Sequence, residues 1–217
     1  MTTIIISADI NSPWFVEQQA YWLDQLNDKE TFRYSAIKSP RKKQQMLLSR
    51  ALIAKALTKF NCRLNGNYDI INYAHLVLPL YNQTFSISIT HSGTMAAIIL
   101  SDKQIKLGID IEQIKKRNFT ELAAEFCTDS ELLSVNQNNN IEADFYQLWT
   151  AKESLAKASH YPLHTLYQCD CSIVLTNDTG VIHWQKNTFY FKLFILPGYK
   201  GTVVLNSQEN IEIIPSN

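Results

Sequence analysis

The segments Gly108-Ile109-Asp110-Ile111-Glu112 and Trp149-Thr150-Ala151-Lys152-Glu153-Ser154-Leu155-Ala156-Lys157 constrain the fold of this chain more than any others. Side chains alternate across a strand, so in a strand Asp110 and Glu112 point to one side. Residues four apart share a helix face, so in a helix Trp149, Glu153 and Lys157 line up. A strand of the first kind laid against a helix of the second gathers three carboxylates, with Lys152 and Lys157 close by. Two carboxylates about 5 Å apart repel by about 3 kcal/mol at an effective dielectric of about 20. One hard divalent cation would offset that repulsion, and the lysines suit phosphate. Ordinary readings stand beside this one. Asp110 and Glu112 could be an acidic pair at a solvated strand end. Glu153 and Lys157 could be a simple helix pair worth about 0.2–0.5 kcal/mol, with Trp149 in the core.

The rest of the chain is consistent with an α+β protein. Its 217 residues allow one domain or two small ones. With 46% hydrophobic and 18% charged residues there is material for a core, and the zero formal charge argues against a nucleic-acid binder. The amino terminus lacks a basic signal-peptide region and no apolar run is long enough to span a bilayer, so a soluble cytoplasmic protein is expected. Cys62, Cys127, Cys169 and Cys171 fit no zinc spacing and read as reduced, packed thiols. Cys169 and Cys171 would share one face of a strand.

Strands are expected at 3–10, 85–89, 95–100 and 105–112, then at 171–175, 181–185, 188–196, 202–206 and 210–214. Helices are expected at 13–26, with Ser12 as cap and Pro13 first, and at 41–60 after Ser39-Pro40. Shorter helices should cover 120–126 and 130–135, with a polar loop over 136–140 and a long helix over 141–159. Asn65-Gly66-Asn67 reads as a turn, and Thr90-His91-Ser92-Gly93 as a break after its strand. Two further features bear on chemistry. His91 and nearby backbone amides could hold a phosphate, although a lone turn histidine is more often structural. Arg41, Lys42 and Lys43 sit at a helix amino terminus, the wrong end of the dipole, where an anionic ligand would relieve them. Lys115, Lys116 and Arg117 form a second basic patch.

Together these motifs resemble the 4′-phosphopantetheinyl transferase superfamily, and in particular its longer, Sfp-type branch. The resemblance runs in order over roughly residues 40–160. It is carried by GIDIE at 108–112 and WTAKESLAK at 149–157. THSG at 90–93 (where the family usually has SHSG), Pro79 and the basic segment 41–57, with Arg50 in the usual arginine position, add to it. The resemblance implies two similar α/β lobes related by pseudo-twofold symmetry, expected over 1–104 and 105–217, with coenzyme A between them, and a monomer. It implies transfer of phosphopantetheine from coenzyme A to a serine of an apo acyl or peptidyl carrier protein. No nucleic acid or membrane takes part. Carried over by position, Asp110, Glu112 and Glu153 would bind Mg²⁺, with Mn²⁺ also suitable. Glu153 would be the general base, and Lys157 would stabilise the diphosphate and could protonate the leaving group. Lys152, Thr90 and His91 would meet coenzyme A phosphates. Arg50, with Arg41, Lys42 or Lys43, would bind the 3′-phosphate or other phosphate oxygens, and which of those three does so stays open. Two other functions remain to be separated: a non-catalytic binder of carrier protein or coenzyme A, and a metal-dependent diphosphate hydrolase.

Overall fold

The computed structural model describes residues 2–137 and 140–214. The chain divides into two compact units, one up to Gln104 plus the segment from Asn210, the other Ile105–Glu209. The first unit opens with β1 (Thr3–Asp9), then α1 (Pro13–Val16), α2 (Gln19–Asp24), α3 (Asp28–Ala36) and α4 (Pro40–Leu57). It continues with β2 (Asp69–Ile71), β3 (His75–Leu78), β4 (Gln83–Ser92) and β5 (Met95–Ser101). The second unit runs β6 (Leu107–Gln113), α5 (Phe119–Phe126), α6 (Asp129–Gln137), α7 (Ile141–Ser159), α8 (Leu163–Leu166), β7 (Thr179–Trp184), β8 (Asn187–Leu196) and β9 (Tyr199–Leu205). The final strand, β10 (Ile211–Ile214), pairs in parallel with β1. The segment from Asn210 therefore leaves the carboxy-terminal lobe expected over 105–217 and completes the first sheet.

The two sheets are ordered β10-β1-β5-β4-β3-β2 and β6-β9-β8-β7. Each unit repeats one plan. An opening strand is followed by helices, one of them long. An antiparallel meander then brings its last strand back beside the opening strand, β5 on β1 and β9 on β6. Both sheets bury an apolar face under the long helix. In the first unit α4 buries Leu48, Leu52 and Ile53 against Ile6, Ile87 and Ile98. In the second, Leu148, Ala151 and Leu155 of α7 join Phe189, Phe191 and Val204.

Local chemistry explains most boundaries. Ser39 caps α4, its hydroxyl accepting from Lys42 N at 3.4 Å, and Pro40 takes the first helical position, where its missing N–H costs nothing. The helix expected over 13–26 is instead α1 and α2, because Val16 to Gln18 are exposed and nothing packs there to carry a continuous helix. Ser12 also does not cap by its side chain; its hydroxyl donates to Asp9 O at 2.7 Å. The break expected at Thr90–Gly93 comes later. Thr90, His91 and Ser92 stay in β4, paired with Ala97, Ala96 and Met95, and Gly93 (φ +58°) opens the tight turn into β5. The strand expected over 171–175 is a short 3₁₀ turn, Ser172–Leu175. Its leading amides are taken by side chains: Cys171 N donates to Glu131 Oε1 and Ser172 N to Asp170 Oδ1, each at 2.8 Å. Cys169 and Cys171 are thus not strand neighbours, although both are buried and reduced, with sulfurs 4.0 Å apart. Of the loop expected over 136–140, residues 136 and 137 belong to α6 and 138–139 lie outside the described residues. No helix is long and apolar enough to cross a membrane among the described residues.

Candidate active site

Strand β6 and helix α7 meet closely because Gly108 lets them. A Cβ there would lie 2.0 Å from Ser154 O and 2.8 Å from Ala158 N. The approach is fixed on the next strand as well: the Thr150 and Thr202 hydroxyls hydrogen-bond at 2.7 Å, and Ser154 Oγ donates to Thr202 O at 2.8 Å. Gly108, Asp110 and Glu112 share the strand face toward α7, as period two requires. Asp110 is 5% exposed. Its Oδ1 accepts from Lys157 Nζ at 2.8 Å, and the same ammonium donates to Ile109 O at 2.9 Å. Glu112 is half-buried and lies opposite Lys200 of β9.

Glu153 is half-buried one turn before Lys157. Its carboxyl is held above the ordinary glutamate range, first by burial, then by the charge of Asp110; Lys157 opposes this and Glu112 adds to it. The three expected carboxylates and Lys157 therefore feel one another in a single place. Among the described residues, no three such side chains already stand in ligand positions around a point. The donor set is nevertheless all oxygen and mutually repelling, which fits a hard divalent cation and not a soft one. Beside Glu112 lies a pocket of about 160 Å³ lined by Arg117, Leu122, Glu125, Phe126, Phe145, Tyr146, Trp149 and Tyr167. Trp149 of the motif thus lines a cavity and stacks on Phe145 at 6.3 Å.

The first unit carries the other expected residues. Gln45 Nε2 donates to Gly93 O at 3.0 Å, so the second turn of α4 lies against the β4–β5 turn. Arg41 and Lys42 are exposed at the helix start, and Lys43 Nζ sits 4.8 Å over the Tyr34 ring. His91 is exposed and Thr90 buried.

Two residues expected to meet phosphate are engaged inside the protein. Arg50, 4% exposed, is turned inward onto Glu30: Nε donates to Glu30 Oε2 at 2.7 Å and its Nη2 meets the same oxygen. Lys152 is fully buried, with Nζ on Glu131 Oε2 at 2.8 Å. The physical reason is the same in both. Each lies on the core side of its helix, where a charge is held only with a partner. Spacing alone missed Glu131 and Glu30. Each follows a capping residue by three, Thr128 and Asn27, and that is a readable helix-start pattern.

The structure thus presents a carboxylate cluster with a lysine on a helix-backed antiparallel sheet. Residues 106–201 match the 4′-phosphopantetheinyl transferase superfamily. A protein of Synechocystis sp., named provisionally as a 4′-phosphopantetheinyl transferase, is 30% identical over 149 residues, 62% of this chain and 56% of its own length. A Haemophilus influenzae protein with the same provisional name is 25% identical over 167 residues, 74% of this chain and 69% of its own. The match thus spans little more than half of the cyanobacterial relative. The motifs that carry the resemblance lie inside or beside these matches, and the relatives bear the names of transferases.

Proposed function

We propose that the protein transfers the 4′-phosphopantetheine group of coenzyme A to a serine of an apo acyl or peptidyl carrier protein, releasing adenosine 3′,5′-bisphosphate. The observation that carries this reading is the convergence of Asp110, Glu112, Glu153 and Lys157 on the two matched motifs. Asp110, Glu112 and Glu153 would hold Mg²⁺ or Mn²⁺, which when bound neutralises charge on the diphosphate. Glu153 takes the proton of the carrier serine, a task its raised proton affinity suits; such a base gives typically ~10²–10⁴-fold. The serine oxygen bonds to the β-phosphorus as the bond to the bridging oxygen breaks. Lys157, beside Asp110, stabilises the diphosphate and can protonate that leaving oxygen. In the first unit Thr90 and His91 at the hairpin end, with Arg41, Lys42 or Lys43, meet the coenzyme A phosphates. The like element order of the two units supports the two-lobe branch, acting as a cytoplasmic monomer.

The test is intact-mass analysis of apo carrier proteins incubated with coenzyme A and Mg²⁺. The expected result is a gain of one phosphopantetheine, stopped by EDTA and by Glu153→Gln. No gain on any carrier, with coenzyme A intact, favours the binder. Coenzyme A consumed without any carrier favours the hydrolase.

A further inference from the structure

Lys152 and Glu131 form a buried ion pair in the second unit that many backbone groups share. Besides Glu131, Lys152 Nζ donates to Cys169 O at 2.9 Å and to Phe126 O and Tyr167 O at 3.2 Å. Its three protons are fully engaged. Phe126 closes α5, so the lysine meets a carbonyl left over at a helix carboxy terminus, where a cation is favoured. Glu131 is as fully occupied. Its Oε2 also accepts from Thr128 N at 2.7 Å, while Thr128 Oγ1 accepts from Glu131 N at 3.3 Å, a reciprocal cap that opens α6. Its Oε1 accepts from Cys171 N at 2.8 Å. One buried pair thus ties the end of α5, the start of α6 and the 167–171 segment to the turn of α7 that carries Glu153.

We infer that Lys152 and Glu131 are a positioning pair for the carboxylate site, fixing the rotation and depth of α7 so that Glu153 faces Asp110 and Glu112. The kinetic part of this inference rests on the proposed transferase reading. A buried ion pair adds little net stability over apolar residues of equal volume. What it adds is direction, because charged donors and acceptors hold narrow geometries. Lys152 immediately precedes Glu153, so any turn or slide of the helix that relaxes Nζ displaces the Glu153 carboxylate and Lys157 with it.

The experiment compares Lys152→Met, Glu131→Gln and the apolar pair Lys152→Met/Glu131→Leu with the wild type, each well below its own unfolding midpoint. It reads kcat, KM for coenzyme A, and Mg²⁺ affinity by calorimetry with the metal alone. Single variants should lose about 10–100-fold in kcat per folded molecule and a similar factor in Mg²⁺ affinity, with KM for coenzyme A unchanged. The apolar pair should unfold at a higher midpoint than either single variant, still below wild type because five backbone groups lose their partners, and should regain neither kcat nor Mg²⁺ affinity. Recovery of kcat and Mg²⁺ affinity along with the midpoint would make the pair merely structural and overturn the inference. So would a Lys152→Met protein whose KM for coenzyme A rises while Mg²⁺ affinity holds, since that marks a phosphate contact. If Lys152→Met does not fold, Glu131→Gln, which keeps volume and one acceptor, carries the comparison. A wild type that transfers nothing but binds Mg²⁺ fails the transferase reading alone, and the calorimetry still decides the positioning role. A wild type that binds no Mg²⁺ overturns the positioning role as well.

Discussion

Gly108 shows how a motif residue can act without touching a substrate. Its missing Cβ is the condition for β6 to lie on α7 with Asp110 in reach of Lys157. Gly108→Ala must push the strand off Ser154 and Ala158, a backbone contact that cannot swing aside. Denaturant titration should show a loss of about 1–3 kcal/mol or more, the range of overpacked cores. A midpoint equal to wild type would mean that the two elements meet less tightly than described. Arg50 makes the opposite point, since a motif-placed cation serves the core. It and Glu30 have side chains 5% and 7% exposed; removing Glu30 takes the carboxylate from buried Arg50, whereas removing Arg50 leaves Glu30 with Arg33 Nη1 at 3.2 Å. Glu30→Gln should cost about 3–5 kcal/mol by urea unfolding, Arg50→Met less because Arg33 still meets Glu30, and the double variant clearly less than their sum. A phosphate-binding Arg50 would instead raise KM for coenzyme A with no matching effect of Glu30→Gln.

Elements were legible where period and punctuation agreed. Ser39-Pro40 announced α4, and an uninterrupted apolar rhythm gave α7 its bounds. They were illegible where tertiary contacts decide. Helix α3 has no apolar stripe: Phe32 is 76% exposed and Glu30 is its only buried residue. Its start was nevertheless written in the chain, as Asn27 accepts from Glu30 N at 3.0 Å and also donates from Nδ2 to Tyr68 O at 2.8 Å. Because packing adds so little to α3, its cap should matter more than usual. Asn27→Ala is expected to cost about 1–2 kcal/mol and to speed amide exchange across 28–36. Unchanged exchange there would assign the helix to some other support. In the candidate site, period two and the i, i+4 rule located Asp110, Glu112, Glu153 and Lys157. Lys152 and Arg50, set at phosphate by the motif resemblance, lie on the core side of their helices, and spacing does not report which side of a helix carries a buried acid.

On the scale of the whole chain, the repeated plan is visible in topology but not in residues: strand, helices (one of them long), returning meander. The first unit departs from it by two strands, β2 at the far end of its meander and β10 beside β1. β10 pairs with β1 from Thr3↔Ile211 to Ile6↔Ile214, so β1 is held on both sides, by β10 and by β5. Ile4, Ile5 and Ile6 of β1 are at most 1% exposed. Without β10, a run of isoleucines would sit at a sheet edge with unpaired amides, the arrangement that invites pairing with other chains. The Lys59–Glu212 contact is half-exposed and would contribute little by comparison. Truncation after Glu209 should therefore remove exchange protection from the β1 amides that face β10. It should also make the protein aggregate at lower concentration, while the β6–β9 ladder keeps its protection. Hydrogen exchange followed by mass spectrometry reads both units in one experiment. Equal loss in both ladders would show that β10 supports the second unit too, and full protection of β1 would show that the parallel pairing is dispensable.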